Sequence, residues 1–134
     1  VAKRDHEPQP GEVIEDDLLI RADKNPNAAG VRARLGECAA QVPADADLVL
    51  VWGEGFDFRA VPAGTRIIHL NAWLAPENGH ADVFFPVSIQ TEREGHYTNF
   101  AGVTSAFAKC FPKASGVVDA AALFPALAGA GGGE

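Results

Sequence analysis

Apolar residues in this chain gather into a few short blocks set between polar stretches that carry glycine and proline. The densest block, Ala46 to Trp52, is apolar apart from Asp47 and does not alternate, the pattern of a strand covered on both faces. Gly53-Glu54-Gly55 ends it. Pro62-Ala63-Gly64 marks a turn, and Arg66 to Leu70 reads as a second strand. After the polar break Pro76-Glu77-Asn78-Gly79-His80, the segment Ala81 to Pro86 reads as a third. Connections of about a dozen residues between such strands imply crossovers in a parallel sheet, not hairpins. They are short for full helices, so some must be loops or single turns.

Two segments carry helical spacing. Asn25-Pro26 offers an N-cap side chain followed by a proline that loses nothing at the first helical position. Val31, Leu35, Cys38 and Val42 then recur at four, three and four residues, one stripe of a helix. Gly30 and Gly36 weaken it, so it depends on packing. The last helix is expected over Val117 to Ala128, with Val117, Ala121, Phe124 and Ala128 on one face and Pro125 distorting the final turn. Thr104 to Phe111 reads as a further strand or as a loop packed on the sheet. Val1 to Glu15 is polar, aperiodic and marked by Pro8 and Pro10, an extended arm. Leu18-Leu19-Ile20 suits an edge strand or a docking segment, and the pattern does not separate these. Gly129 to Glu134 is a flexible tail. The expected organisation is an arm over 1–15, one α/β domain over 16–128 built on a small, mainly parallel sheet with flanking helices, and a tail over 129–134.

Composition narrows the function. At 134 residues, 47% hydrophobic and 22% charged, the chain has the length of one globular domain and too much apolar content for a disordered segment. Its net charge of −7 is the wrong sign for displacing phosphate counterions, which argues against a nucleic-acid partner. The longest unbroken apolar runs, such as Leu48 to Trp52, fall far short of the roughly 20 residues of a membrane helix. No basic segment precedes an apolar one at the N-terminus, so secretion is not indicated. The expected location is cytoplasmic. Val1 in first place and the lack of methionine raise the expectation of a processed subunit or a fragment.

Most candidate chemistry has a plainer reading. Gly53-Glu54-Gly55-Phe56-Asp57 follows the best strand, where open α/β sheets bind ligands, but lacks the third glycine of a dinucleotide fingerprint and suits a tight turn. Cys38 lies on an apolar stripe, where cysteine serves as a small core residue. Cys110 has Lys109 and Lys113 nearby, which favours a thiolate only where geometry cooperates; two structural thiols are the favoured reading. His6, His69, His80 and His96 stand at no metal-binding spacing, so no metal site is expected. His69 suits a satisfied core position. No Gly-x-Ser-x-Gly elbow supports a serine nucleophile.

The informative stretch runs from Ala81 to Gly102. A buried strand ends at Pro86, the chain turns polar, and Gly95 and Gly102 permit sharp bends. Glu92 and Asn99 are suited to bonding backbone groups and fixing a long irregular loop, which is the favoured reading. The same stretch resembles the molybdopterin oxidoreductase family, in which a strand of the type Ala-Asp-Val-x-x-Pro precedes Glu-x-x-Gly-x-x-x-Asn and usually Glu-Gly-Arg. The matching residues are Ala81, Asp82, Val83, Pro86, Glu92, Gly95 and Asn99. Upstream, Leu19 to Asn27 with Gly30 is similar to sequence in the large iron–sulfur subunit of NADH-quinone oxidoreductases, and the two likenesses together span about residues 16 to 128.

The departures matter equally. Where the family has Glu-Gly-Arg, this chain has Phe100-Ala101-Gly102-Val103, without a guanidinium for an anionic pterin. The family's cysteine cluster for an iron–sulfur centre has no counterpart here, nor has most of the length that encloses a bis-pterin cofactor. The resemblance therefore implies a Rossmann- or flavodoxin-like layer of that fold, without its own cofactor. It implies an accessory or structural part of an NADH-dehydrogenase-like complex, not catalytic alone, whose iron–sulfur clusters, flavin or molybdopterin reside in partner subunits. Such a chain would reach the inner membrane only peripherally, through those partners. One alternative is a pterin-holding piece of a split molybdenum or tungsten enzyme of the formate-dehydrogenase kind, with Gly95 and Asn99 as cofactor-binding residues. Another is a free-standing small-molecule binding module with its ligand near Gly53-Glu54-Gly55.

Overall fold

The structure is a computed structural model that describes residues 7–18, 27–36, 39 and 41–130. The chain forms two compact units, one of Val1–Ala40 with Gly95–Phe107 and one of Gln41–Glu94 with Ala108–Glu134. The expected class is the observed one: α/β, with a small parallel sheet and two helices, α1 (Ala28–Leu35) in the first unit and α2 (Ala120–Ala130) in the second.

The second unit holds that sheet. Its strands are β1 (Leu48–Trp52), β2 (Arg66–Asn71) and β3 (Val83–Pro86), in the order β1-β2-β3 and all parallel. The crossovers contain single 3₁₀ turns, Phe58–Ala60 and Pro76–His80, in place of helices, because so few residues leave no room for more. Asp82 pins the register at the start of β2 and β3. One of its carboxylate oxygens accepts the Ile67 N–H at 2.8 Å, and the other lies 3.0 Å from Arg66 Nε. Beyond Pro86, Val87 forms a parallel bridge with Val118, which pairs the end of that edge.

Each face of the sheet has its own cover. Leu70 and Val87 pack with Leu123 of α2, and Ile68, Phe85, Val118 and Leu127 surround them. Asp119 starts α2 by accepting the Ala121 N–H on its carboxylate at 3.1 Å. The expected stripe of Val117, Ala121, Phe124 and Ala128 is corrected here. Val118 is drawn into the bridge, so the helix starts later and turns Ala120 and Leu123 inward, while Ala121 and Ala128 are exposed. On the opposite face the ring of His69 meets Phe58 edge-on at 5.2 Å and Phe84 at 6.0 Å. His80 stacks on Phe58 at 5.5 Å.

In the first unit, helix α1 is shorter than its stripe suggests. Gly36 takes φ 71° and ψ −152°, a backbone conformation that residues other than glycine rarely adopt and that ends the helix, so Val42 does not continue the turn of Val31 and Leu35. His6, Leu19-Ile20, Asn25-Pro26, Cys38 and residues 131–134 of the tail lie outside the described residues. Strands β4 (Gly95–Thr98) and β5 (Thr104–Phe107) pair antiparallel, which corrects the expected long irregular loop: a hairpin stands there.

Candidate functional site

Three parallel strands deliver their carboxyl ends together, at Gly53, Asn71 and Ser88. The peptide of Gly53 is held from both sides: its N–H donates to Leu70 O at 2.8 Å and its carbonyl lies 3.0 Å from His69 Nε2. A carbonyl can only accept, so Nε2 carries the proton there. His69 is fully buried, and its Nδ1 has no partner. Gly53 at φ 91° and Gly55 at φ 77° make the tight turn expected after β1. Asp57 then starts the 3₁₀ turn by accepting the Arg59 N–H. Its hydrogen bond to Arg59 Nε at 2.9 Å also raises the guanidinium pKa above the ordinary value.

Sequence reasoning passed over Asn71 and Ser88, each only 3% exposed. Asn71 Oδ1 accepts the Ala72 N–H at 2.7 Å, which fixes the amide orientation and leaves Nδ2 as a buried donor without a partner. Ser88 Oγ is likewise buried and unpartnered, as is Arg93 Nε. Buried polar groups are nearly always hydrogen-bonded. Orphaned groups at the carboxyl end of a parallel sheet therefore suit an oxygen-rich ligand or an ordered water. The signal was present as a polar residue closing each apolar run, Ile67 to Asn71 and Phe84 to Ser88. Nearby, the guanidinium carbon of Arg93 lies 5.4 Å from the centre of the Trp52 ring, which also meets Phe124 at 5.3 Å.

The residues carried by the family likeness have local duties. Glu92 accepts the Ile89 N–H at 3.1 Å and closes a single turn over Gln90–Glu92. Gly95 lies beneath Phe107, whose ring stacks on Tyr97 at 5.1 Å. A Cβ on Gly95 would stand 2.8 Å from Phe107 Cζ. Asn99 Oδ1 accepts the Ala101 and Val103 N–H groups at 3.0 and 2.9 Å and builds the hairpin turn, with Gly102 at φ 79°. Phe100 to Val103, where the family has Glu-Gly-Arg, forms that turn. Gly95 and Asn99 are thus both used in making the hairpin, Asn99 through its Oδ1 and Gly95 through its contact with Phe107.

Cys110 is exposed, its thiol 3.8 Å from Ala108 O. Among the described residues no three His, Cys, Asp or Glu side chains converge as a metal site would require. Nor is any helix among them long and apolar enough to cross a membrane. Comparison with known protein families, curated proteins and solved structures found no match to this chain.

Proposed function

We propose that this chain is an accessory, non-catalytic component of an NADH-dehydrogenase-like electron-transfer complex, resembling a truncated molybdopterin oxidoreductase domain. The observation that carries the reading is the engagement of Glu92, Gly95 and Asn99 in the chain's own turns. Among the residues of the resemblance, Glu92 Oε2 and Asn99 Oδ1 accept backbone amides and Gly95 lies against the Phe107 ring. Iron–sulfur clusters and flavin then belong to partner subunits, and the chain sits at the cytoplasmic side of the inner membrane through them. Exposed apolar side chains such as Trp73, Leu74 and Phe111 are the kind of surface that interfaces cover.

Purification of the tagged chain from its native source without chaotropes tests this. Co-migration with an NADH-oxidising, flavin- and iron-bearing assembly is the expected result. A monodisperse chain without partners would overturn it, and stoichiometric molybdenum or tungsten would transfer the reading to the split pterin enzyme.

The orphaned Nδ2 of Asn71 and Oγ of Ser88 favour one second reading, a small-molecule module whose ligand presents acceptor oxygens at the strand ends. A thermal-shift screen of the purified chain against nucleotides and flavins decides it. No shift with any of them removes this reading.

A further inference from the structure

The two edges of the parallel sheet are treated differently. Beside β3, Val118 pairs with the end of the edge, donating its N–H to Pro86 O at 2.8 Å and accepting the Ser88 N–H at 3.0 Å. Beside β1 nothing comparable stands among the described residues. Arg66 N–H donates to Asp47 O and Gly53 N–H to Leu70 O, so the odd-numbered residues of this strand face β2. By the alternation of a parallel ladder, the amides of Leu48, Leu50 and Trp52 point outward. No hydrogen bond among the described residues engages them.

Natural proteins blunt an open edge with lysine, proline, a bulge or a very short strand. The run Leu48-Val49-Leu50-Val51-Trp52 has none of these, and Leu48, Leu50 and Trp52 remain 55%, 36% and 51% exposed. Charge marks its two ends. Asp45 and Asp47 precede the strand and Glu54 follows it, all exposed and, among the described residues, without an ion pair or side-chain hydrogen bond. A second copy pairing antiparallel would set Asp45 and Asp47 against the other Glu54, like charge on like at both ends.

We infer that the outer edge of β1 receives an extended strand from a different polypeptide, one with alternating apolar residues and lysine or arginine at both ends. Outward amides supply the ladder bonds, and apolar partner side chains cover Leu48 and Leu50. Because acids bracket the strand on both sides, the charge match holds for either strand direction. This deepens the accessory-component reading, on which it rests, by naming the chemistry of the partner segment.

The test uses the full chain and a labelled synthetic peptide, Lys-Lys-Val-Thr-Ile-Thr-Val-Lys-Lys, with a glutamate-flanked peptide of the same centre. Saturable binding of the lysine peptide is expected, at least tenfold tighter than the glutamate peptide at low salt. In the Asp45→Lys, Asp47→Lys, Glu54→Lys variant this preference inverts. Leu50→Pro removes an outward N–H while sparing the ladder to β2, and should weaken binding at least tenfold where circular dichroism shows a folded chain. Absence of saturable binding, equal binding of the two peptides, or an unchanged preference in the charge variant would overturn the inference. So would a concentration-dependent dimer in sedimentation that Leu50→Pro abolishes, which gives the edge to a second copy. Peptide binding by a chain that purifies without any redox assembly would leave this inference standing and remove the component reading alone.

Discussion

Asn27 Oδ1 accepts the backbone N–H of Thr98 at 2.8 Å, joining the start of α1 to the hairpin across 71 residues of sequence. Asn27 itself sits at φ 62°, a left-handed conformation that asparagine tolerates better than most residues. Replacing it with alanine removes the bond and adds backbone strain, a combined loss of about 2 kcal/mol. Asn27→Gly relieves the strain and should lose about half as much. Urea denaturation gives the stabilities, and hydrogen exchange at Thr98 should accelerate in both variants.

Gly30 explains its own presence in a helix. A Cβ there would stand 2.5 Å from Asn27 Oδ1 and 2.9 Å from Thr98 Oγ1. A glycine-to-alanine change in an open helix gains up to about 1 kcal/mol. Here the sign reverses, and Gly30→Ala should destabilise the protein by about 1–2 kcal/mol, as overpacking does. A rise in the denaturation midpoint would refute the contact.

Gly95→Ala drives a methyl into Phe107 and must separate that ring from Tyr97. A loss of about 1–3 kcal/mol is expected. Because Tyr97 is the single tyrosine of the chain, its near-ultraviolet signal should change with the stability.

Asn99→Ala leaves the Ala101 and Val103 amides without their acceptor, at a cost of about 1–2 kcal/mol. Asn99→Asp keeps an acceptor oxygen and should retain most of the stability. Equal losses in the two variants, measured by thermal melting, would show that the turn bonds are not what the side chain contributes.

Ser88→Ala removes a buried hydroxyl with no partner, so the free chain should gain about 1 kcal/mol or remain unchanged. A clear loss instead would show that a bound molecule satisfies Ser88 Oγ in solution.

The parallel sheet was legible in the sequence because each strand is a short local signal. The runs ending at Trp52, Leu70 and Pro86 are apolar and closed by turn residues, and the spacing between them is too long for a tight hairpin and too short for full helices. Glu92 and Asn99 were legible as backbone-binding residues for a similar reason: their partners lie within four positions. What the pattern could not carry was long-range. The pairing of Gly95–Thr98 with Thr104–Phe107 has little apolar alternation to announce it, and the ring of Phe107 above Gly95 supplies what hydropathy does not. The length of α1 was decided by the backbone of Gly36, and the inward face of α2 by the bridge of Val118 to Val87. The orphaned donors of Asn71 and Ser88 and the open side of β1 exist only once strands are ordered side by side. Local propensity is written in neighbouring residues, whereas burial and the presence or absence of a hydrogen-bond partner depend on which distant segment arrives.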